Sequence, residues 1–244
     1  MQLVAAQLSK TGGRKENQDY CACLNKGGYG CYLVADGLGG HRGGALAART
    51  AGESILKAFA ASPGASIKQL KGYLDQAREE MLLRGKQSDV PLRLKTTLVV
   101  LLSDFESALW AHIGDSRLYY FKAATLHFQT SDHSVPQQLV KSGVIAAEQV
   151  RDHEDRNRLL AAFDGGDLER IEYAVEPVKL ERDDAFLLCT DGFWECVYEN
   201  EMEEDLAGAA NPDGWLGLME KRLLMRAKHN NDNYTALAVL SREK

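Results

Sequence analysis

The chain is predicted to be an α+β protein with antiparallel sheets. Three observations carry that prediction. Strand-like runs follow one another directly at residues 95–103, 108–113, 118–121 and 126–129. Two long amphipathic segments, 43–61 and 67–85, are set apart from those runs. Finally, two apolar runs, Cys31-Tyr32-Leu33-Val34 and Ala185-Phe186-Leu187-Leu188-Cys189, each lead to Asp-Gly, at Asp36-Gly37 and Asp191-Gly192. Strands in succession with helices segregated elsewhere are the mark of this fold class.

Taken in order, residues 3–8 form a first strand, closed by the turn Thr11-Gly12-Gly13. The polar cluster Arg14-Lys15-Glu16-Asn17-Gln18-Asp19 precedes a second strand at 20–24. Asn25-Lys26-Gly27-Gly28 supplies the hairpin into the strand that delivers Asp36. In the first helix Ala48, Ala51, Ile55 and Phe59 step by three and four, and Ser62-Pro63-Gly64 ends it. Ile67, Leu70, Leu74, Ala77 and Met81 repeat that spacing in the second helix, so Met81 is a core residue.

Gly114-Asp115-Ser116-Arg117 reads as a tight turn between two strands of an antiparallel meander. Residues 132–166 have little strand character beyond a short helix near 136–141. They read as a mobile excursion placed to cover a site. The alternating charges of 151–158 predict a solvated face. Strands at 170–178 and 185–189, a helix starting in the acidic run 199–205, a last helix at 215–228 and a closing strand at 236–240 complete the chain. With no repeat, low-complexity tract or linker, residues 1–244 are expected to form a single domain.

Hydrophobic content of 45% and charged content of 26% are ordinary for a globular chain. A net charge of −6 argues against nucleic acid as the partner, because such binders present basic surfaces. It suits a site that gathers carboxylates around cations. The five cysteines lie mostly in apolar runs, which predicts reduced core residues in a cytoplasmic protein. Cys21 and Cys23 have no matching pair at zinc spacing. The N-terminus lacks the pattern of a signal peptide, and the run 98–102 is too short to span a bilayer. A soluble monomer with no membrane partner is expected.

Asp19, Asp36, Asp191 and Asp232 each sit at the edge of an apolar strand. If those ends converge on one rim, four carboxylates repel unless cations neutralise them. Oxygen donors of this kind, with the Gly37 carbonyl, suit hard divalent ions. Arg14 offers a planar fork that fits phosphate, or equally a surface pair with Glu16 or Asp19.

Several motifs occur together and in order: Arg14-x-x-Asn17-Gln18-Asp19, Ala35-Asp36-Gly37-x-Gly39-Gly40-His41, Thr96-Thr97, Gly114-Asp115-Ser116-Arg117, Asp132-His133-Ser134, Thr190-Asp191-Gly192 and Asp232-Asn233-x-Thr235. The chain thereby resembles the metal-dependent serine/threonine protein phosphatases of the 2C type, in a bacterial stand-alone form, over residues 9–240. The resemblance implies a four-layer α-β-β-α sandwich of two antiparallel sheets with a flap subdomain, here at about 132–166. It implies two Mn²⁺ or Mg²⁺ ions bridged by Asp36, with the Gly37 carbonyl and waters on one ion, Asp19 bound to it directly or through a coordinated water, and Asp191 and Asp232 on the other. Asp115 is implied as a ligand of a third, weaker ion, the alternative being a partner for Arg117. Arg14 would bind the substrate phosphate, and a water between the ions would attack phosphorus without a covalent intermediate.

The chain departs from the family pattern at three places. Gln18 stands where many relatives have Glu. Leu38 stands where animal members carry a histidine proposed as general acid, a role His41 does not inherit. The flap's exit, 159–166, is unusual. The function expected is hydrolysis of phosphoserine and phosphothreonine in a phosphoprotein, opposing a bacterial kinase and associated with a secretion system. The rivals are an inactive phosphoprotein-binding relative and a two-metal phosphodiesterase.

Overall fold

The computed structural model describes residues 1–39, 43–87, 93–166 and 168–243; Gly40 and His41 of the Asp-Gly motif lie outside the described residues. The first sheet-forming strands are β1 (Gln2–Lys10), β2 (Asp19–Lys26) and β3 (Tyr29–Leu38). Helices α1 (Gly43–Ala61) and α2 (Ile67–Gln87) follow. Next come β4 (Lys95–Thr96), β5 (Leu98–Ser103), β6 (Ser107–Ile113), β7 (Arg117–Lys122) and β8 (Thr125–Gln129). The excursion holds α3 (Val135–Lys141), a 3₁₀ turn at Ala147–Val150 and β9 (Phe163–Asp164). The chain ends with β10 (Glu172–Tyr173), β11 (Val178–Lys179), β12 (Ala185–Cys189), α4 (Asp191–Trp194), α5 (Glu199–Gly208), α6 (Pro212–Arg226) and β13 (Tyr234–Arg242).

The strands make two antiparallel sheets. One has the order β1-β13-β12-β7-β8. The other runs β10-β6-β5-β3-β4-β9, with β11 beside β6 and β2 beside β3. Alternation along each strand explains the layers. On β12, Phe186 and Leu188 join the core shared with the second sheet and α1–α2, whereas Ala185, Leu187 and Cys189 join the core under α5 and α6. Both faces of β12 are buried, which is why its sequence is apolar without interruption. Tyr120 stacks on Phe186 at 4.7 Å, and Trp110 reaches Phe186 from the other sheet. The result is the four-layer α-β-β-α sandwich with two antiparallel sheets.

Several sequence expectations are corrected. The meander is not one: β6 belongs to one sheet and β7 to the other, so Gly114-Asp115-Ser116 carries the chain between them. Gly114, at φ 99°, makes that crossing with a backbone only glycine adopts easily. The strand at 95–103 is broken at Thr97, and the one at 170–178 shrinks to β10 and β11, both paired with β6. Asp36 is not at a strand end, because β3 continues to Leu38. The cysteines are all free, but only Cys31 and Cys189 are buried; Cys23 is exposed. No helix among the described residues is long and apolar enough to cross a membrane.

Candidate active site

The sheets meet at a cleft of about 510 Å³ lined by Arg14, Gln18, Asp36, Gly37, Asp115, Asp191 and Asp232, among others. The second sheet supplies Asp36, directly opposite Asp19 in the β2–β3 register. Its backbone is fixed on both sides. The Asp36 N–H donates to Thr97 Oγ1 at 2.9 Å, and the Asp36 carbonyl accepts from Thr96 Oγ1 at 2.7 Å and the Thr97 N–H at 2.8 Å. The interruption at Thr97 therefore serves to hold the backbone from which this carboxylate projects. Gly37 lets α1 approach: a Cβ there would lie 2.0 Å from the Gly44 carbonyl oxygen.

The five-stranded sheet supplies Asp191, just after β12, and Asp232, just before β13. Gly192 keeps the two segments together, since a Cβ on it would lie 2.1 Å from the Asn233 carbonyl oxygen. Asn233 is the organiser that sequence reasoning left without a role. Its Oδ1 accepts from the Gln18 N–H at 2.8 Å, and its Nδ2 donates to the carbonyls of Thr11 at 2.7 Å and Glu16 at 3.0 Å. One buried amide thus fastens the Arg14 loop to the strand behind Asp232. Its signal was present in the sequence, as the residue following Asp232 in a motif, but nothing local said what it would grip. Arg14 Nη2 lies 2.6 Å from Asp232 Oδ2; the aspartate is part-buried and the arginine exposed. It pairs with neither Glu16 nor Asp19 in this geometry.

Asp19 sits behind the cleft, accepting from Thr190 Oγ1 at 3.0 Å. Asp115 lies on the crossing between sheets and is buried. It is not the partner of Arg117, whose guanidinium forks onto Asp132 with two bonds of 2.8 Å and lies over the Trp194 ring. Trp194 in turn donates to the Asp115 carbonyl at 2.9 Å, which holds the turn with Asp115 in the cleft lining. From the excursion, Asn157 and Leu159 line the same cleft. The excursion is tied at its root by Val135 N–H to the Arg158 carbonyl, 2.9 Å, and Leu160 N–H to the His133 carbonyl, 2.8 Å.

Burial is the main force on these acids. It raises Asp36 and Asp191 well above the usual carboxylate range, and their aspartate neighbours add repulsion, Asp191, Asp19, Asp115 and Asp232 all acting on Asp36. Asp115 is pushed up to about 7, by burial and then by Asp132. Asp19 is raised to about 6, again by burial first. Carboxylates so crowded need protons or cations. The donor set, carboxylates with nearby backbone carbonyls, fits hard divalent cations such as Mn²⁺ or Mg²⁺. Glu195 adds a further raised carboxylate whose charge acts on Asp191, another residue the sequence reading did not single out.

The chain is 31% identical over 237 residues to the serine/threonine phosphatase stp of Listeria monocytogenes, covering 93% of this chain and 90% of that protein. It superposes on the catalytic domain of the serine/threonine protein phosphatase PstP in complex with two manganese ions, with TM-score 0.84, 22% identity and 99% of each chain covered. It also superposes on PppA of Pseudomonas aeruginosa, described as a key regulatory component of T6SS, with TM-score 0.76, 28% identity, and 98% and 97% covered. The family model described as protein phosphatase 2C matches residues 9–230. With the fold, the ordered motifs and these likenesses in agreement, the chain belongs to the protein phosphatase 2C family.

Proposed function

We infer that the cleft hydrolyses phosphoserine and phosphothreonine esters of proteins with two divalent cations. The observation that carries the reading is the meeting of Asp36 and Asp191, from different sheets, in one cleft with Arg14 at its rim. Asp36 would be the ligand common to both ions; the Gly37 carbonyl and Asp19 would hold one of them, and Asp191 and Asp232 the other. Asp115 is the candidate for a third, weaker ion. When bound, such ions neutralise phosphoryl charge and make water a nucleophile near neutral pH.

The chain's own residues do the rest. Arg14 presents a guanidinium at the cleft mouth, placed to grip the non-bridging phosphate oxygens. Its bond to Asp232 holds it in the cleft lining. Leu38, on the cleft wall, offers no proton, so the leaving alkoxide takes its proton from water. Asn157 and Leu159 place the excursion where it can touch the peptide around the phosphorylated residue, which supports reading 132–166 as a flap on a single domain.

The product chemistry requires a kinase to supply the substrate, and the resemblance to stand-alone bacterial members supports a cytoplasmic chain that acts as a monomer. The likeness to PppA favours a phosphoprotein of a secretion machine as substrate. The test is phosphate release from a phosphothreonine peptide with added Mn²⁺, with excess EDTA, and with a nucleic-acid diester in place of the peptide. Metal-dependent turnover of the peptide alone is expected. Undiminished turnover in EDTA would overturn the two-metal reading, turnover of the diester would favour a phosphodiesterase, and binding without turnover would leave an inactive phosphoprotein-binding relative.

A further inference from the structure

A second cluster of metal-ligating side chains lies outside the aspartate cleft. His112 on β6, His133 between β8 and α3, and Glu172 on β10 each offer one donor atom within 4.8 Å of the others. The register makes part of this inevitable, since Glu172 stands directly opposite His112 across the β10–β6 pair. One carboxylate reaches both rings: Glu172 Oε1 is 3.4 Å from His133 Nε2, and Oε2 is 3.8 Å from His112 Nε2. We propose that His112, His133 and Glu172 form a binding site for Zn²⁺ or a similar borderline divalent cation, separate from the aspartate cleft.

Spacing is the first support. Zinc bonded to imidazole nitrogen at about 2.0–2.1 Å in a tetrahedral shell keeps its ligand atoms roughly 3.3 Å apart. The two carboxylate–imidazole distances already approach that value. The imidazoles are 5.1 Å apart between ring centres and tilted by 39°, so they are not packed as a simple stack. Donor chemistry points the same way, because two imidazoles and one carboxylate suit zinc, whereas the oxygen-only cleft suits Mg²⁺ or Mn²⁺. The two sites would sort cations by softness.

An independent observation comes from His112. Its side chain is 5% exposed, its Nε2 meets the Ser131 carbonyl at 3.0 Å, and its buried Nδ1 has no hydrogen-bond partner. A neutral ring carries one proton, and the Ser131 carbonyl can only accept, so that proton sits on Nε2 and Nδ1 is left as an acceptor without a donor. For Nε2, the nitrogen beside Glu172, to ligate an ion, the proton must pass to Nδ1 and the Ser131 contact must give way. Burial lowers the pKa of His112, with His133 adding to that effect against the Ser131 carbonyl and Glu172. The neutral form is the one that ligates. A histidine meant only as a cationic partner for Glu172 would gain from exposure instead.

His133 has the supporting contact that metal-bound imidazoles commonly show. Its Nδ1 lies 3.3 Å from the Gly114 carbonyl, so with Nε2 on the ion the Nδ1–H can donate there. In the other tautomer Nδ1 accepts from the Gly114 N–H at 3.2 Å. Loading therefore changes the hydrogen bonding of the turn that carries Asp115, and it ties the root of the excursion to β6 and β10. Lys141, half-exposed with its Nζ 3.9 Å from Glu172 Oε1, is the cation that accompanies the carboxylate otherwise, and its flexible stem lets it withdraw.

The experiment is a zinc titration of the full chain against a chromogenic chelator, in millimolar Mg²⁺ to occupy the aspartate cleft. Wild type is compared with Glu172→Gln and His133→Gln. Glu172 is half-exposed, so Glu172→Gln should melt with wild type when zinc is absent. Wild type is expected to take up one zinc equivalent that both variants bind at least about tenfold more weakly. Zinc should also raise the melting temperature of wild type and leave that of the variants in place. Equal zinc affinity and stoichiometry in wild type and Glu172→Gln would overturn the site. The readout needs no phosphatase turnover, so its failure and that of the catalytic reading are separable.

Discussion

Two regions of this protein bury carboxylates, and they treat them in opposite ways. Between α5 and α6, Glu201 is buried yet held down to about 2, because Arg226 bonds it first and Arg222 joins at 3.1 Å. Asp205 beside it takes two bonds of 2.9 Å from the same Arg222. In the cleft, Asp36 and Asp191 are surrounded mainly by other aspartates and are raised instead. Burial is common to both regions, so burial alone does not decide a carboxylate's charge. The partner decides it. Where arginines bond the acids the network is structural; where Asp36 and Asp191 have chiefly other acids as charged neighbours, the charge they carry suits a cation.

The sharpest way to break that comparison is to neutralise one carboxylate in each region. Asp36→Asn should lower turnover at least about 1,000-fold, since loss of a shared ligand forfeits roughly 4 kcal/mol of charge stabilisation. In chelator the same variant should melt at or above the wild-type temperature, because an amide relieves burial and repulsion. Near wild-type turnover would remove Asp36 from the ligand set. Next in size, Arg14→Ala should raise KM about ten- to a hundredfold with kcat nearly kept, as a lost charge-assisted pair is worth about 1.5–3 kcal/mol. A change confined to kcat would give Arg14 a transition-state role instead.

Glu201→Ala should do the reverse of Asp36→Asn: turnover kept and stability reduced by about 2 kcal/mol, a fall of about 4–8 °C in melting temperature. An unchanged melt would mean that the Arg222–Arg226 network holds without its central acid. The smallest effect is in the pH profile, where the regions should slope oppositely. Glu201 is depressed from 4.5 to about 2, so its stabilisation is present above 4.5 and lost as pH falls through that window. Asp115 and Asp19 are raised from 3.8 to about 7 and about 6, so in chelator their contribution is complete below 3.8 and lost as pH rises through 6 and 7. Melting temperatures of the chelated protein should therefore fall between pH 5 and pH 8, and added Mn²⁺ should reduce the fall. A flat profile in chelator would contradict the crowding of charge in the cleft.

Much of the fold was legible from local pattern. Helix α1 begins and ends where the three-and-four spacing of Ala48, Ala51, Ile55 and Phe59 placed it. β12 matches its apolar run residue for residue. The site was legible for a different reason: Asp-Gly and Asp-Asn beside apolar runs are short, specific strings, and their order along the chain is itself a signal. What failed were pairings. The Gly114 turn was read as a hairpin because two strands separated by a tight turn usually pair, yet here β6 and β7 find partners in β5 and β12. The edge pieces β10 and β11 were read as one strand because local composition does not reveal that they only touch β6 at its two ends.

The sequence by itself pointed to the aspartates and the arginine that line the cleft, to the two long helices and to antiparallel strands, because periodicity and residue type act over a few positions. Only the tertiary structure decided who faces whom. It set Asp36 opposite Asp19 within β3, gave Arg117 to Asp132 and not to Asp115, made Asn233 the clamp of the Arg14 loop, and brought His112, His133 and Glu172 together. Each of these joins residues distant along the chain. Their geometry follows from how two twisted sheets and their helices exclude water together, a property of the packed whole that no short window of sequence contains.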